Sequence, residues 1–352
     1  MRKLICADLH LGINTDNFFI KGKGMSRLQE QERILMDMIE YMAGNNIKKW
    51  VIAGDIYHRN NPLPLYEAMF IRILNHAWNT GIEIDILLGN HDDSMSSVSA
   101  LEPIIEAFCG EDSRVHVYLE PEVVDDCIYV PHCSKFDMDK YKNKVIDLAN
   151  KHKPDYLIGH FHAIGAISGS EQAMLAGGEL TINEFPSCIK RAILGHIHKP
   201  QEFRVGNTVV NYTGSISRVD FGERDDKKSF LVHDEEKDTI ERIPIKCIEY
   251  KQIKLIESEV DKYDWEQDFS KVVVKVVIEE AEGKYSISDI EKKLGKVYLI
   301  RSISIIKKRK AIVRNKEVPS LAPTKALEHY FAGHKDKKEI ILEGRAILEE
   351  VV

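Results

Sequence analysis

Residues 192–200 read AILGHIHKP. A short apolar run closing on Gly195 has the character of a buried strand at its carboxyl end, and His196 and His198 follow with one residue between them. In an extended backbone, residues two apart project to the same face, so both imidazoles are expected to aim at one point. Two converging imidazoles signal a metal only if further donors join them; alone they are an ordinary pair on a solvated loop.

Four more tokens share this construction: DLH (Asp8, His10), GDIYH (Gly54, Asp55, His58), GNHD (Gly89 to Asp92) and GHFH (Gly159 to His162). Each follows an apolar strand-like run, and glycine precedes the donor in four of the five, where it lets the backbone turn closely around whatever the donors hold. Ligands of open α/β sheets gather outside the carboxyl ends of the strands, which is where Asp8, Asp55, Asn90, His160 and His196 all fall. No token contains cysteine, which disfavours a closed tetrahedral thiolate zinc site. Mixed oxygen and nitrogen donors in this number suit two divalent cations of higher coordination.

Around these tokens the first two-thirds of the chain alternates strands with amphipathic helices. SRLQEQERILMDMIEYMAGNN reads as a helix with Ser26 as N-cap, Gln29 three residues on, and Gly44 as its stop. Pro62 and Pro64 open a second helix whose Tyr66, Met69, Phe70, Ile73 and Ala77 form one face. KLICADLH, KWVIAGD, IEIDILLGN, YLIGH and RAILGH read as strands, and alternating runs follow near NTVVNYTG, KSFLVH and TIERIPI. The order predicts an α/β sheet that begins β-α-β and finishes in antiparallel hairpins.

From residue 246 the texture changes to a compact α+β unit, with strands at YKQIKLIE, KVVVKVVIEE and VYLIRSISIIKK and a short helix at SISDIEKKLG. KKRKAIVRNK (Lys307 to Lys316) holds six basic residues and no acid in a chain of formal net charge -7, so it reads either as a solvated link or as a phosphate-contacting patch. Residues 318–352 read as two helices whose apolar stripe must pack on their own domain or on a partner. The six cysteines form no C-x-x-C pair and fit reduced thiols of a cytoplasm. No run is long enough to span a bilayer, and no G-x-x-x-x-G-K-[ST] loop is present, so ATP hydrolysis through a P-loop is not expected.

The ordered set D-x-H, G-D, G-N-H-D, G-H, G-H-x-H resembles the calcineurin-like metallophosphoesterases. With GDIYH, GHFHAIGAISGSEQ, FPSCIKRAILGHIHKPQ and VVNYTGSISRVDFGE, the likeness over residues 1–235 is to the SbcD family, the nuclease subunit of the SbcC–SbcD complex and its phage relatives. The resemblance implies a four-layer αββα sandwich over 1–245, a small capping, DNA-binding α+β unit over 246–306, a basic linker over 307–317, and helices over 318–352 that bind an SbcC-like coiled-coil ATPase. It implies one cation held by Asp8, His10, Asp55 and His198 and a second by Asp55, Asn90, His160 and His196, with Asp55 bridging. Mn²⁺ is the family's usual metal, and the sequence equally admits Mg²⁺, Fe or Zn. His91 would stabilise the scissile phosphate and supply the leaving oxygen's proton; His58 would support that phosphate. Asp92 is expected to orient its loop or a ligand imidazole.

The activity so implied is 3′→5′ exonuclease on double-stranded DNA and endonuclease on single-stranded or hairpin DNA, in repair, recombination or replication. A homodimer, no membrane contact and a cytoplasmic location (the host's, for a phage protein) go with it. A phosphomonoesterase or cyclic-nucleotide phosphodiesterase on the same sheet is the alternative. A non-catalytic scaffold would be expected to lose donors, and every donor is present.

Overall fold

The computed structural model describes the chain except for residues 14–18, 21–23, 94–98, 109, 111–112, 134–137, 164, 168–184, 308–324, 326–327, 329, 332–336 and 351–352. The amino-terminal run is β1 (Arg2–Cys6), a small ribbon of β2 (Phe19–Ile20) and β3 (Gly24–Met25), α1 (Ser26–Gly44), β4 (Lys49–Ala53), α2 (Pro64–Asn79), β5 (Glu83–Leu87), α3 (Glu102–Phe108) and β6 (Val115–Tyr118). A second run follows: β7 (Glu122–Val124), β8 (Cys127–Val130), α4 (Met138–His152), β9 (Tyr156–His160), β10 (Arg191–Gly195), β11 (Gln201–Val205) and β12 (Thr208–Tyr212). The chain then returns as β13 (Ser229–Asp234) and β14 (Thr239–Pro244).

Where the sequence pattern suggests one sheet, there are two of six strands. The first has the order β14-β13-β1-β4-β5-β6, with β1, β4, β5 and β6 parallel and β13 and β14 antiparallel at one edge. The second has the order β11-β12-β10-β9-β8-β7, parallel from β12 to β8 with an antiparallel strand on either edge. Two hairpins that look alike in sequence thus finish different sheets.

Side-chain alternation explains the layering. In β1, Leu4 and Cys6 turn toward the helices with Trp50, Ile52, Ile84 and Ile86, and meet Leu35, Met38, Phe70 and Ile73. Ile5 and Ala7 turn the other way, with Val51, Ala53 and Leu87, onto Tyr129, Ile158 and Ile193 of the second sheet. The outer face of the second sheet, including Leu157, Ala192 and Leu194, is covered by Val145 and Ala149 of α4. Helices, sheet, sheet and helix therefore stack as four layers. Strands covered on both faces bury successive side chains, which is why β1, β4 and β10 carry uninterrupted apolar runs (Leu4–Cys6, Trp50–Ala53, Ala192–Leu194) after their charged first residues.

The two helices read from the sequence lie where expected: α1 ends at Gly44, and α2 begins at Pro64 with Tyr66, Met69, Phe70, Ile73 and Ala77 buried. Residues 249–307 form a three-stranded parallel sheet, β15 (Glu249–Ile256), β16 (Phe269–Ala281) and β17 (Val297–Lys307), with α5 (Ile287–Leu294) between the last two. Ile290 and Leu294 of α5 pack on Ile253, Val274, Val276 and Ile278. Of the expected terminal helices the second is described as α6 (Lys337–Glu350); of the first, Lys325, Glu328 and Tyr330 are described, each helical, and the basic stretch after Lys307 lies outside the described residues.

Ile193 sits fully buried where the two sheets meet. Ile193→Ala is expected to cost about 3 kcal/mol, read as a lower urea midpoint at unchanged slope.

Candidate metal centre

All five tokens meet at the carboxyl edge shared by the two sheets. Asp8, Asp55 and Asn90 lie just beyond β1, β4 and β5; His160 closes β9, and His196 and His198 follow β10. The strand ends are knitted together by Asp8 N–H to Gly54 O (3.1 Å), His10 N–H to Asp55 O (3.1 Å) and Leu11 N–H to Ile56 O (2.8 Å). Buried Gln31 of α1 donates to the carbonyls of Leu9 (3.0 Å) and His10 (3.1 Å).

Four of the donors have left-handed backbone: Asp8 (φ 53°), His10 (φ 44°), Asp55 (φ 53°) and His196 (φ 85°). Non-glycine residues there store strain that surrounding structure must hold, and such positions collect at functional sites. The extended geometry expected across His196 and His198 is therefore absent; β10 ends at Gly195 and the chain turns sharply. The two imidazoles diverge, His198 toward His10 and His196 toward Asn90. Two token glycines answer to space. A Cβ on Gly54 (φ 87°) would overlap the His160 ring, and one on Gly89 would overlap Asp55.

Asp55 is the middle of the cluster and 2% exposed. Its Oδ2 lies 3.6 Å from His10 Nε2 and its Oδ1 3.4 Å from His160 Nε2, so it presents one oxygen to each side. Oδ1 also accepts the His91 N–H at 2.8 Å. On one side His10 Nε2 faces His198 Nε2 at 2.8 Å, and Asp8, His10 and His198 can point ligand atoms at a common position. On the other, Asn90 Oδ1 lies 3.0 Å from His160 Nε2 and 2.9 Å from His196 Nδ1. Asp8 stands near both sides, grouping also with Asp55 and His160, and its two oxygens accept the His196 N–H at 3.0 and 3.1 Å.

The donor chemistry fits a pair of cations. His160 Nδ1–H donates to the Ala53 carbonyl at 2.7 Å, which turns Nε2 toward Asn90 Oδ1 and Asp55 Oδ1. Both are acceptors, so a positive charge has to lie among them, either a proton on Nε2 or a metal ion. Without metal the proton serves: burial opposes the charge on His160, but Asp55 outweighs it and raises the imidazole to about 9. Against the same burial, His160 holds the Asp55 carboxyl well below the usual range. Burial lifts Asp8 to about 6, with Asp55 adding to it, and drives His196 down to about 3, with His160 adding to that. Burial likewise keeps His10 neutral.

His58 and His91 stack beside this cluster, rings 5.4 Å apart and 19° from parallel. His91 Nδ1–H donates to the His58 carbonyl at 2.8 Å, leaving Nε2 as its free position. His58 Nδ1 is 3.4 Å from His10 Nδ1, and burial with the neighbouring His91 lowers His58 to about 4. Asp92 holds no donor position. Fully buried, it accepts the backbone N–H groups of Ile56 (3.1 Å), Tyr57 (2.9 Å) and Gly89 (3.1 Å) and so fixes the two loops that carry Asp55 and Asn90.

Sequence reasoning assigns no role to Glu223, whose carboxylate meets His198 Nδ1 at 2.8 Å, nor to Lys228 and Gln31 behind the donors. Glu223 closes the VVNYTGSISRVDFGE stretch, but nothing in that stretch says which of its side chains meets a donor.

The family model for calcineurin-like phosphoesterases matches residues 1–200. The chain belongs to that family. The SbcD subunit of the Bacillus subtilis nuclease SbcCD is 27% identical over 272 residues, covering 66% of each chain. The Archaeoglobus fulgidus DNA double-strand break repair protein Mre11 is 27% identical over 235 residues, 62% of this chain and 50% of that one. This phosphoesterase thus spans between half and two-thirds of those relatives' lengths. Among solved structures, a purple acid phosphatase from yellow lupin matches with TM-score 0.42 and 11% identity, over 66% of this chain and 48% of that one. The buried aspartates and histidines fit the dinuclear metal site of the family. No helix among the described residues is long and apolar enough to cross a membrane.

Because the proton on His160 occupies the position a cation would take, cation binding must release it. The sign follows: His160 is protonated below about 9, so apparent Mn²⁺ affinity rises with pH up to that point and falls below it. Titration of metal-free protein with Mn²⁺ at pH 7.5 in two buffers of different ionisation enthalpy should show roughly one proton released per chain.

Proposed function

We propose that the protein is a two-metal DNA phosphodiesterase, the SbcD-like nuclease subunit of a complex with a coiled-coil ATPase. One observation carries the reading: Asp55 turns one carboxylate oxygen to the His10 side and the other to the His160 side of a single buried cluster. One cation would be held by Asp8, His10, Asp55 and His198, the other by Asp55, Asn90, His160 and His196. When bound, such a pair neutralises a phosphodiester and lowers the pKa of a water placed in line with the leaving oxygen. Mn²⁺ is the proposed metal on family grounds.

The chain's own groups divide the remaining work. His91 is half-buried, fixed by its backbone N–H on Asp55 and its Nδ1–H on the His58 carbonyl. Its Nε2 is then the position proposed to stabilise the scissile phosphate and to hand a proton to the departing sugar oxygen. His58, lowered to about 4 and so neutral at working pH, stacks on His91 and sets that ring's plane. Asp92, through its three backbone bonds, keeps both loops from shifting when charge enters the site.

DNA as substrate and an SbcC-type ATPase as partner are proposed from the named relatives together with the residues 246–352 beyond the phosphoesterase core. The small parallel sheet of residues 249–307 is proposed as a capping, DNA-contacting unit, and 318–352 as the ATPase-binding segment. Exonuclease action with 3′→5′ polarity, endonuclease action on single strands or hairpins, and homodimer formation belong to the same proposal.

The test is cleavage of linear duplex and single-stranded circular DNA with Mn²⁺, set beside turnover of p-nitrophenyl phosphate. DNA cleavage that EDTA abolishes is expected; turnover of the monoester alone would favour a small-molecule phosphatase. His91→Ala should retain both cations yet lose cleavage by on the order of 10²–10⁴-fold. Loss of a cation in that variant would contradict the role given to His91.

A further inference from the structure

Behind the donors lies a second buried polar cluster to which the reaction above assigns nothing. Glu223, 2% exposed, ends a short 3₁₀ turn, Phe221–Glu223, and sets Oε1 against His198 Nδ1 at 2.8 Å. Its Oε2 accepts from Lys228 Nζ (2.6 Å), Val219 N–H (3.0 Å) and Ser215 Oγ (3.1 Å). Lys228 is also 2% exposed; it donates to Ser215 Oγ (2.8 Å) and the His198 carbonyl (3.2 Å), with Asp226 at 3.5 Å. The loop is pinned at its far side too, where Arg27 of α1 donates to Ser217 Oγ (3.0 Å) and the Arg218 carbonyl. A lysine and a glutamate this fully buried gain little net stability from each other, since desolvation consumes most of their attraction.

We infer that Glu223, held by Lys228 and Ser215, is a positioning residue that locks His198 in the tautomer with hydrogen on Nδ1, turning the Nε2 lone pair toward His10 and Asp8. An ionised carboxylate only accepts, so the imidazole nitrogen facing it must carry the hydrogen. In the neutral ring the other nitrogen carries the lone pair, and that nitrogen is the one 2.8 Å from His10 Nε2. With the opposite tautomer an N–H would point into the cluster and His198 could hold nothing there. The pinned loop prevents the carboxylate from following a swing of the ring, so orientation and tautomer are set together. What His198 would bind rests on the function proposed above; the tautomer does not.

The experiment uses the full chain, metal-free, with ¹⁵N-labelled histidine. Long-range ¹H–¹⁵N correlation spectra, assigned for His198 by comparison with His198→Gln, should show hydrogen on Nδ1 and a lone pair on Nε2. Glu223→Gln should give mixed or reversed tautomers at His198 and weaken Mn²⁺ binding roughly 10–100-fold. Should that variant fail to fold, Glu223→Gln with Lys228→Met removes charge from both buried partners and is expected to show the same tautomer loss. Hydrogen on Nε2 in the native protein, or an unchanged tautomer and Mn²⁺ affinity in the variants, would overturn the inference. A native Nδ1 tautomer that the variants disturb, in a protein that takes up no Mn²⁺, would uphold the inference and overturn the cation reading instead.

Discussion

A carboxylate sealed away from water must have its charge answered on the spot, and in this molecule that constraint falls on Asp55. It is surrounded by imidazoles on both flanks and by a backbone N–H, all drawn from strands that are far apart in sequence. Coulomb interactions strengthen as the local dielectric falls, so the same burial that makes an unpaired charge costly makes a positive charge beside it tightly held. The proton on His160 meets this need in the metal-free protein. A site built this way suits a pair of cations, and the sandwich can be understood as the scaffold that keeps five strand ends in register around it.

That scaffold explains choices that look arbitrary one residue at a time. Glycines at 54 and 89 leave room for the His160 ring and for Asp55. Left-handed backbone at Asp8, His10, Asp55 and His196 turns each donor off its strand and into the shared edge. Strain at four positions is tolerable because the strands carrying them are buried on both faces and cannot relax without opening the core. The capping bonds of Asp92 and the reach of Gln31 from α1 serve the same end, satisfying loop backbone that would otherwise be buried unpaired.

Much of this is legible in the sequence, for identifiable reasons. Apolar runs such as RAILG are short and uninterrupted, so strand ends stand out, and donors placed right after them are conspicuous. Helices α1 and α2 are readable because Gly44 and Pro64 punctuate a clear apolar stripe. Strand pairing is not: nothing local tells that the β11–β12 and β13–β14 hairpins belong to different sheets, since that is decided by packing across the layers. The local geometry at His196 escapes the pattern because period-two logic holds only while the backbone stays extended, and it ends one residue earlier. The roles of Glu223 and Lys228 are unreadable for a different reason. Their partners are defined by the path of a loop, and one acid among several neighbours carries no periodic signal.

Two metal ions are proposed to share Asp55. Anomalous scattering from a crystal of the protein soaked in Mn²⁺, collected at the manganese edge, tests it directly. Two peaks are predicted, one between Asp55 and the His10–His198 pair and one between Asp55 and His160–Asn90. A single fully occupied peak, or peaks that leave Asp55 without contact to both, would overturn the two-metal site.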